Sequence, residues 1–254
     1  MSARLRSIMF FVSAAVLALL FVLGLRDLPP SGDYRGPYGR VVSQVAVFER
    51  HATDVVNAIT YDYRGFDTLG EEFILFASVL GVLLLFRRSS EKDEQVKNRR
   101  SRAQAELPVS DTLRVTMQAM VGVMVLFGVY IAAHGQLTPG GGFQGGVILA
   151  SAPLIVYLSG GVEMFERVIS SPMIKLAESG GAAGYAIIGI SALLFGAHFL
   201  SNVVPLGTTG DVFSSGTIAL ISVSVGLEVT GGFVVLMHAF LREALAARID
   251  RRKQ

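Results

Sequence analysis

The chain has 254 residues, of which 52% are hydrophobic and 17% charged, with 28 glycines and a mean hydropathy of +0.55. That is too apolar for an average soluble domain and points to a membrane protein. A net charge of +2 from 22 basic and 20 acidic residues leaves no basic surface for nucleic acid, and the lack of cysteine excludes disulfides, thiolate metal sites and a cysteine nucleophile.

A membrane span needs about 20 mostly apolar residues, because a helix rises about 1.5 Å per residue across roughly 30 Å of hydrocarbon. The first such run, residues 7–25, carries no charge. Two arginines precede it as in a signal peptide, but it is long for that purpose and no A-x-A-like site follows, so a retained span is expected. Next, Val41, Val45, Phe48, Ala52, Val55, Val56 and Ile59 recur at spacings of three and four, while Arg40, Gln44, Glu49, Arg50 and Asp54 fall on other faces. This spacing predicts an external amphipathic helix lying at the membrane interface or on a partner. It leads into Asp62-Tyr63-Arg64-Gly65-Phe66-Asp67-Thr68-Leu69-Gly70-Glu71, where acids flank an arginine and a turn glycine follows. Either Arg64 is held by the acids to lock the turn, or Asp62, Asp67 and Glu71 gather cations or protons at a pore mouth.

The second span is expected at about 71–86. Residues 89–110 are polar and charged, and read as a solvated linker, with Ser110 and Asp111 as caps for the next helix. The third span, 115–133, ends in HGQLTPGGGFQGG, residues 134–146. No Lys and Ser/Thr pair follows the last glycine, as a phosphate-binding loop requires, and no strand precedes it. The stretch is instead expected to be a compact turn, with Pro139 ending the third span and the glycines letting the next helix pack closely. Thr138 and Gln144 are candidates to bond exposed backbone or a passing ion. The fourth span, about 144–160, is expected to bend at Pro153. The fifth is placed at 180–200 and the sixth at 215–240.

Charged groups within spans are the usual marks of an ion path. Glu228 lies about midway along the sixth span, with Gly226, Gly231 and Gly232 around it. Its alternatives are a protonated carboxyl in helix packing or a salt bridge to another subunit. His134 and His198, at the ends of the third and fifth spans, titrate near neutral pH when unperturbed and are further path candidates. No H-E-x-x-H spacing and no Ser, His and Asp set is present, so no catalytic residues, metal or cofactor are expected.

Lysine and arginine orient the spans. Segment 87–114 carries eight, and both termini carry more, whereas loops 134–143 and 201–214 carry none. The fold class expected is an all-α integral membrane protein of about six spans plus the amphipathic helix, with both termini cytoplasmic. Loop 26–70 is the exception, its five arginines being offset by six acids. The organisation expected is a two-span unit at 1–88, a cytoplasmic linker at 89–110 and a four-span unit at 111–254.

Two stretches resemble one system. VVNAITYDYRGFDTLGEE is similar to a motif near the C-terminal end of the large A-type component of Mrp-type multi-subunit Na+/H+ antiporters, and to a small component of membrane-bound hydrogenase-type complexes. The pattern V-N-x-I-x-x-D-[FY]-R-G-[FY]-D-T-L-G-E is matched from Val56 to Glu71. The turn from His134 through Thr138, Pro139, Gly140, Gly141, Gly142, Phe143 and Gln144 resembles the G-H-x-[ST]-P-G-G-G-F-Q-G-G signature of the small B-type component of Mrp antiporters. It departs in having Ala133 before His134 and an extra Gly135. The resemblance implies a fusion of an E-type with a B-type unit in a bacterial or archaeal cell membrane. It further implies partnership with other antiporter membrane subunits, Na+, H+ and the bilayer, and a role in assembly and in lining part of an ion path. Membership of a redox-driven, hydrogenase-like pumping complex is the alternative.

Overall fold

In hydrocarbon every backbone N–H and C=O must find a partner within the chain, so long apolar segments fold as helices. The computed structural model describes residues 3–26, 36–87, 110–169 and 172–251, and among these no strand occurs. The helices are α1 (Ala3–Arg26), α2 (Pro37–Arg50), α3 (Val55–Ala58), α4 (Gly65–Arg87), α5 (Asp111–Ala133), α6 (Gly142–Ile169), α7 (Pro172–Leu194) and α8 (Thr217–Arg251), with one π-helical turn at Ile59–Tyr63. Six are long and apolar enough to cross a membrane: Ser7–Arg26, Gly65–Phe86, Asp111–Ala133, Gly142–Gly161, Leu176–Leu194 and Thr217–Ala244. The expected linker lies outside the described residues up to Ser110, which caps α5 by accepting from the Leu113 amide at 3.3 Å.

Several expected boundaries move. The second span begins at Gly65, six residues early, because the chain turns sharply at Arg64 (φ −128°) and can start a fresh helix there. The fifth span ends at Leu194, so His198 stands in the loop beyond it. α5 ends at Ala133 as expected, but Pro139 does not end it and lies in the loop beyond. In α6 the residue with non-helical dihedrals is Gly161 (φ 75°), not Pro153.

The amphipathic helix is also corrected. α2 stops at Arg50, His51 takes φ 52°, and the chain restarts at α3 with Asp54 as its N-cap, accepting from the Val56 amide. The residues that enter the core are Val42, Ala46, Ala52 and Ala58, whereas Phe48 is 81% exposed. Small side chains face inward where the backbone lies against the bundle; of the larger ones, Val55 and Ile59 pack against the core, while Val41, Phe48 and Val56 are left outside.

Residues Met1–Val41 and Val42–Gln254 form two units. In the first, α1 is apolar on all sides, with Phe10, Phe11, Leu17, Leu20 and Phe21 pointing in every direction, as a membrane helix does. In the second, α8 is the hub, packing against α4, α5, α6, α7 and the π-turn. Of its most apolar stretch 61% is buried, against 11% for α5. One stripe of α8, Ile218, Ile221, Val225 and Val229, forms the core with Tyr61, Leu69 and Tyr185.

α8 is held at backbone distance by its neighbours. A β-carbon on Gly146 of α6 would lie 2.7 Å from Val229 Cβ and 2.9 Å from the Gly226 carbonyl oxygen. α7 runs antiparallel to α8 with a reciprocal contact. A β-carbon on Gly181 would lie 2.7 Å from Glu228 Cβ, and one on Gly231 would lie 2.6 Å from Glu178 Cβ. Replacing Gly146 with leucine is expected to force α6 from α8 and to destabilise by about 1–3 kcal/mol. The detergent-solubilised protein should lose several degrees of melting temperature by light scattering. Gly81→Ala, at a site with nothing within 4 Å, should not lower it.

Candidate ion-path site

At the end of the bundle where α4 and α8 begin, polar side chains tie loops to helix ends. Asn57 of α3 is buried and donates through Nδ2 to the Gly140 carbonyl at 3.1 Å, to Asp54 at 3.0 Å and to the Gly135 carbonyl. The glycine-rich turn wraps around it: Gly140 and Gly141 take φ 152° and 129°, and a β-carbon on Gly141 would meet Asn57 Oδ1 at 2.6 Å. Thr53 donates to the Leu137 carbonyl at 2.6 Å, and Ser222 of α8 to the Ala132 carbonyl at 2.8 Å. The turn is thus a clamp between α3 and α8, with carbonyls aimed inward at one amide.

The π-turn follows directly. Its widened ring is closed by the Arg64 amide to the Ile59 carbonyl at 2.8 Å, and Thr68 satisfies the Thr60 carbonyl at 2.6 Å. Tyr61, buried within it, has its hydroxyl beside the Gly142 and Phe143 amides at the start of α6. Burial pushes the Tyr61 phenol well above its ordinary range, and the nearby Glu72 carboxyl adds to this. Tyr185 of α7 donates to the Gly65 carbonyl at 2.8 Å, fixing the first turn of α4.

Below this layer lie the acids. Glu72 of α4 and Glu228 of α8 are each 1% exposed. Their carboxyls are near enough to act on each other electrostatically, yet none of their four oxygens has a hydrogen-bond partner among the described residues. Glu178 of α7 is half-buried, with Oε1 enclosed and unpartnered, and it acts on Glu228. Ionised and alone, a carboxyl in such a place costs several kcal/mol, so it must be neutralised, paired or wetted. Among the described residues no three His, Asp or Glu side chains are spaced to hold a metal ion.

Of the residues singled out in sequence, Glu228 lies at this centre. Asp62 does not flank Arg64 but forms an ion pair with Arg50 at 2.8 Å and accepts from Asn202 at 3.1 Å. Arg64 pairs with the exposed Asp67, its Nε donating at 2.6 Å. Glu71 and Gln144 are exposed. His134 caps α5 and stacks on Tyr130 with centroids 4.3 Å apart, Thr138 donates back to its carbonyl at 3.4 Å, and His198 is exposed in the loop after α7. Sequence reasoning missed Asn57, Glu72 and Glu178. The doubled Glu71-Glu72 is the available signal for one. Placing the fifth span at 180 leaves Glu178 outside it.

Six helices long and apolar enough to cross a membrane, with unpartnered carboxyls buried among them, make this an all-helical integral membrane protein. Residues 112–235 match the family model described as a domain related to the MnhB subunit of Na+/H+ antiporter, and 37–103 match the MbhE model, named for a component of MBH. The chain is 32% identical over 131 residues to a Staphylococcus aureus protein named as the antiporter component mnhB2, covering 89% of it and 49% of this chain. A Rhizobium meliloti protein named as an A/B component of a K+/H+ antiporter is 25% identical over 96% of this chain, which spans only 26% of that longer protein. The chain belongs to the MnhB-related family of antiporter subunits. Among solved structures, a chain of the archaeal membrane-bound sulfane sulfur reductase, a respiratory membrane complex, matches at TM-score 0.68 and 27% identity, covering 93% of this chain and 98% of that one. The fold is shared also with a chain of the Mrp complex from Dietzia sp., at TM-score 0.68 and 22% identity over 94% of this chain and 26% of that one.

Asn57→Ala leaves the Gly135 and Gly140 carbonyls without their donor. A loss of about 2–3 kcal/mol is expected, measured as lower thermal stability in detergent, with the helix content at low temperature unchanged.

Proposed function

We propose that the chain is a membrane-arm subunit of a multi-subunit monovalent cation/proton antiporter, and that the Glu72–Glu228 pair is where it takes part in ion movement. The unpartnered burial of these two carboxyls carries the reading. One acid comes from the segment similar to MbhE and the other from the MnhB-related segment, so the two sequence units share one centre. We read those units as a fusion, with the division in the charged linker between them. A carboxyl pair that exchanges a proton for Na+ or K+ keeps its buried charge balanced in both states, which gives the obligatory exchange an antiporter needs. The partners are the large antiporter-like subunits of the same complex. The arginine distribution supports both termini on the cytoplasmic side of a bacterial or archaeal cell membrane.

The sulfur reductase relationship supports a second reading, in which the same unit serves a redox-driven pump. The two readings separate by energy source. In vesicles containing the complete complex, Na+ or K+ addition should collapse an imposed ΔpH without any electron donor, whereas the redox reading requires the donor.

Glu72→Gln and Glu228→Gln keep the side-chain shape but remove the exchangeable proton. Each is expected to lower the maximal exchange rate at least about tenfold, on the scale of losing one positioned proton-transfer group, with subunit content unchanged on the same membranes. Wild-type rates in both variants would exclude the pair from the path. For the topology, a single cysteine replacing Ser90 should resist an impermeant reagent applied outside intact cells, and one replacing Thr209 should react with it. Outside labelling at position 90 would reverse the orientation.

A further inference from the structure

The α7–α8 contact holds an internal symmetry. Glu178-Ser179-Gly180-Gly181 on α7 and Glu228-Val229-Thr230-Gly231 on α8 run antiparallel, so that each helix sets a glycine against the other's glutamate. With no side chain on Gly181 or Gly231, both glutamates leave their backbones at the tightest point of the contact, about one helical turn apart along the axis. Glu228 is sealed in the core beside Glu72. Glu178 is displaced toward the end where α4 and α8 approach their finish, the end marked by Phe86 against Phe240 with ring centroids 5.5 Å apart. It sits near the beginning of α7, roughly 9 Å from that helix's start. Glu178 is half-buried, one oxygen facing the core without a partner. A carboxyl with one oxygen enclosed, one turn from a sealed carboxyl and near one end of the bundle, has the placement of a relay.

We propose that Glu178 is a proton-relay residue that connects the Glu72–Glu228 pair to the end of the bundle where α7 begins. The inference rests on the carboxyl-pair reading given above. When Glu228 gives up its proton, Glu178 takes it: one carboxyl O–H bond breaks, another forms, the charge moves from Glu178 to Glu228, and the proton leaves Glu178 for water at that end. No electron is transferred. The other ionisable groups around this route are Glu71 and Glu72 of α4, Tyr61 of the π-turn, Tyr185 of α7 and, two turns beyond Gly231 on α8, His238. On α7 itself Tyr185 stands on the far side of Gly181 from the helix start, tied to Gly65, which leaves Glu178 as the step on the near side.

The test uses the complete complex in sealed membrane vesicles. Glu178→Gln is expected to slow cation-driven ΔpH relaxation roughly tenfold or more, and Glu178→Asp, which keeps an exchangeable proton, to recover part of it. Wild-type rate and pH profile in Glu178→Gln, with Glu228→Gln inactive in the same assay, would overturn the relay and leave the pair reading standing. Normal transport in Glu72→Gln and Glu228→Gln as well would sink both. An assembly defect in Glu178→Gln is met by a measurement on the unmodified complex. A membrane-permeant carbodiimide, which couples to protonated carboxyls, is followed by mass spectrometry of the labelled peptides. Labelling of Glu178 should fall as pH is raised on the side where α7 begins and stay constant as it is raised on the other. Labelling insensitive to pH on that side overturns the proposal.

Discussion

Between helices in lipid, hiding leucine from solvent supplies no drive, because the acyl chains are as apolar as the side chains. What holds α8 at the centre of this protein is backbone proximity, made possible by residues without side chains. Gly146 lets α6 lie on Val229, while Gly181 and Gly231 let α7 and α8 touch main chain to main chain. The site inherits its geometry from these contacts. Glu228 projects from a stretch pressed on one side by α6 and on another by α7, so its carboxyl has few directions left, and the one it takes leads to Glu72. Dispersion and weak backbone contacts at short range then do what hydrophobic burial does in water.

The polar clamp around Asn57 serves the same centre from one end. It binds α3 to the turn between α5 and α6, and thereby fixes the point from which the π-turn and α4 depart. Tyr61 completes the coupling, since its hydroxyl lies beside the first amides of α6 while its ring belongs to the segment that leads to Glu72. The α6 start therefore carries partial positive charge toward a phenol adjoining the acids. The short non-spanning helices, which a hydropathy plot passes over, are what align the two halves of the carboxyl pair.

Sequence is most informative where physics is local. Apolar run length locates six spans, and the glycine turn is legible as a turn because positive φ and close approach demand glycine. Glu228 stands out because a charge amid about twenty apolar residues is costly wherever it points. Choosing between Glu71 and Glu72 is beyond periodicity, since the π-turn and the break at Arg64 reset the helical phase just upstream. The inward face of α2 defeats pattern reading for a related reason. A close backbone approach selects alanine, so Ala46 faces the core while Val41 and Phe48 of the largest apolar stripe do not. Glu178 is hidden by a boundary, because the apolar run begins only after it.

The doubled acid at the start of α4 has a consequence for how this chain tolerates change. One residue advances a helix by about 100°, so a single insertion or deletion in the π-turn rotates α4 by nearly a third of a turn about its axis. In most helices that would exchange the inward residue for one of unrelated chemistry. Here the neighbour of Glu72 is Glu71, exposed in the present phase and identical in chemistry. A bulged turn beside a repeated acid therefore acts as a phase buffer. The turn upstream can gain a residue while a carboxyl still confronts Glu228, whereas the loss of one would turn Phe73 inward instead.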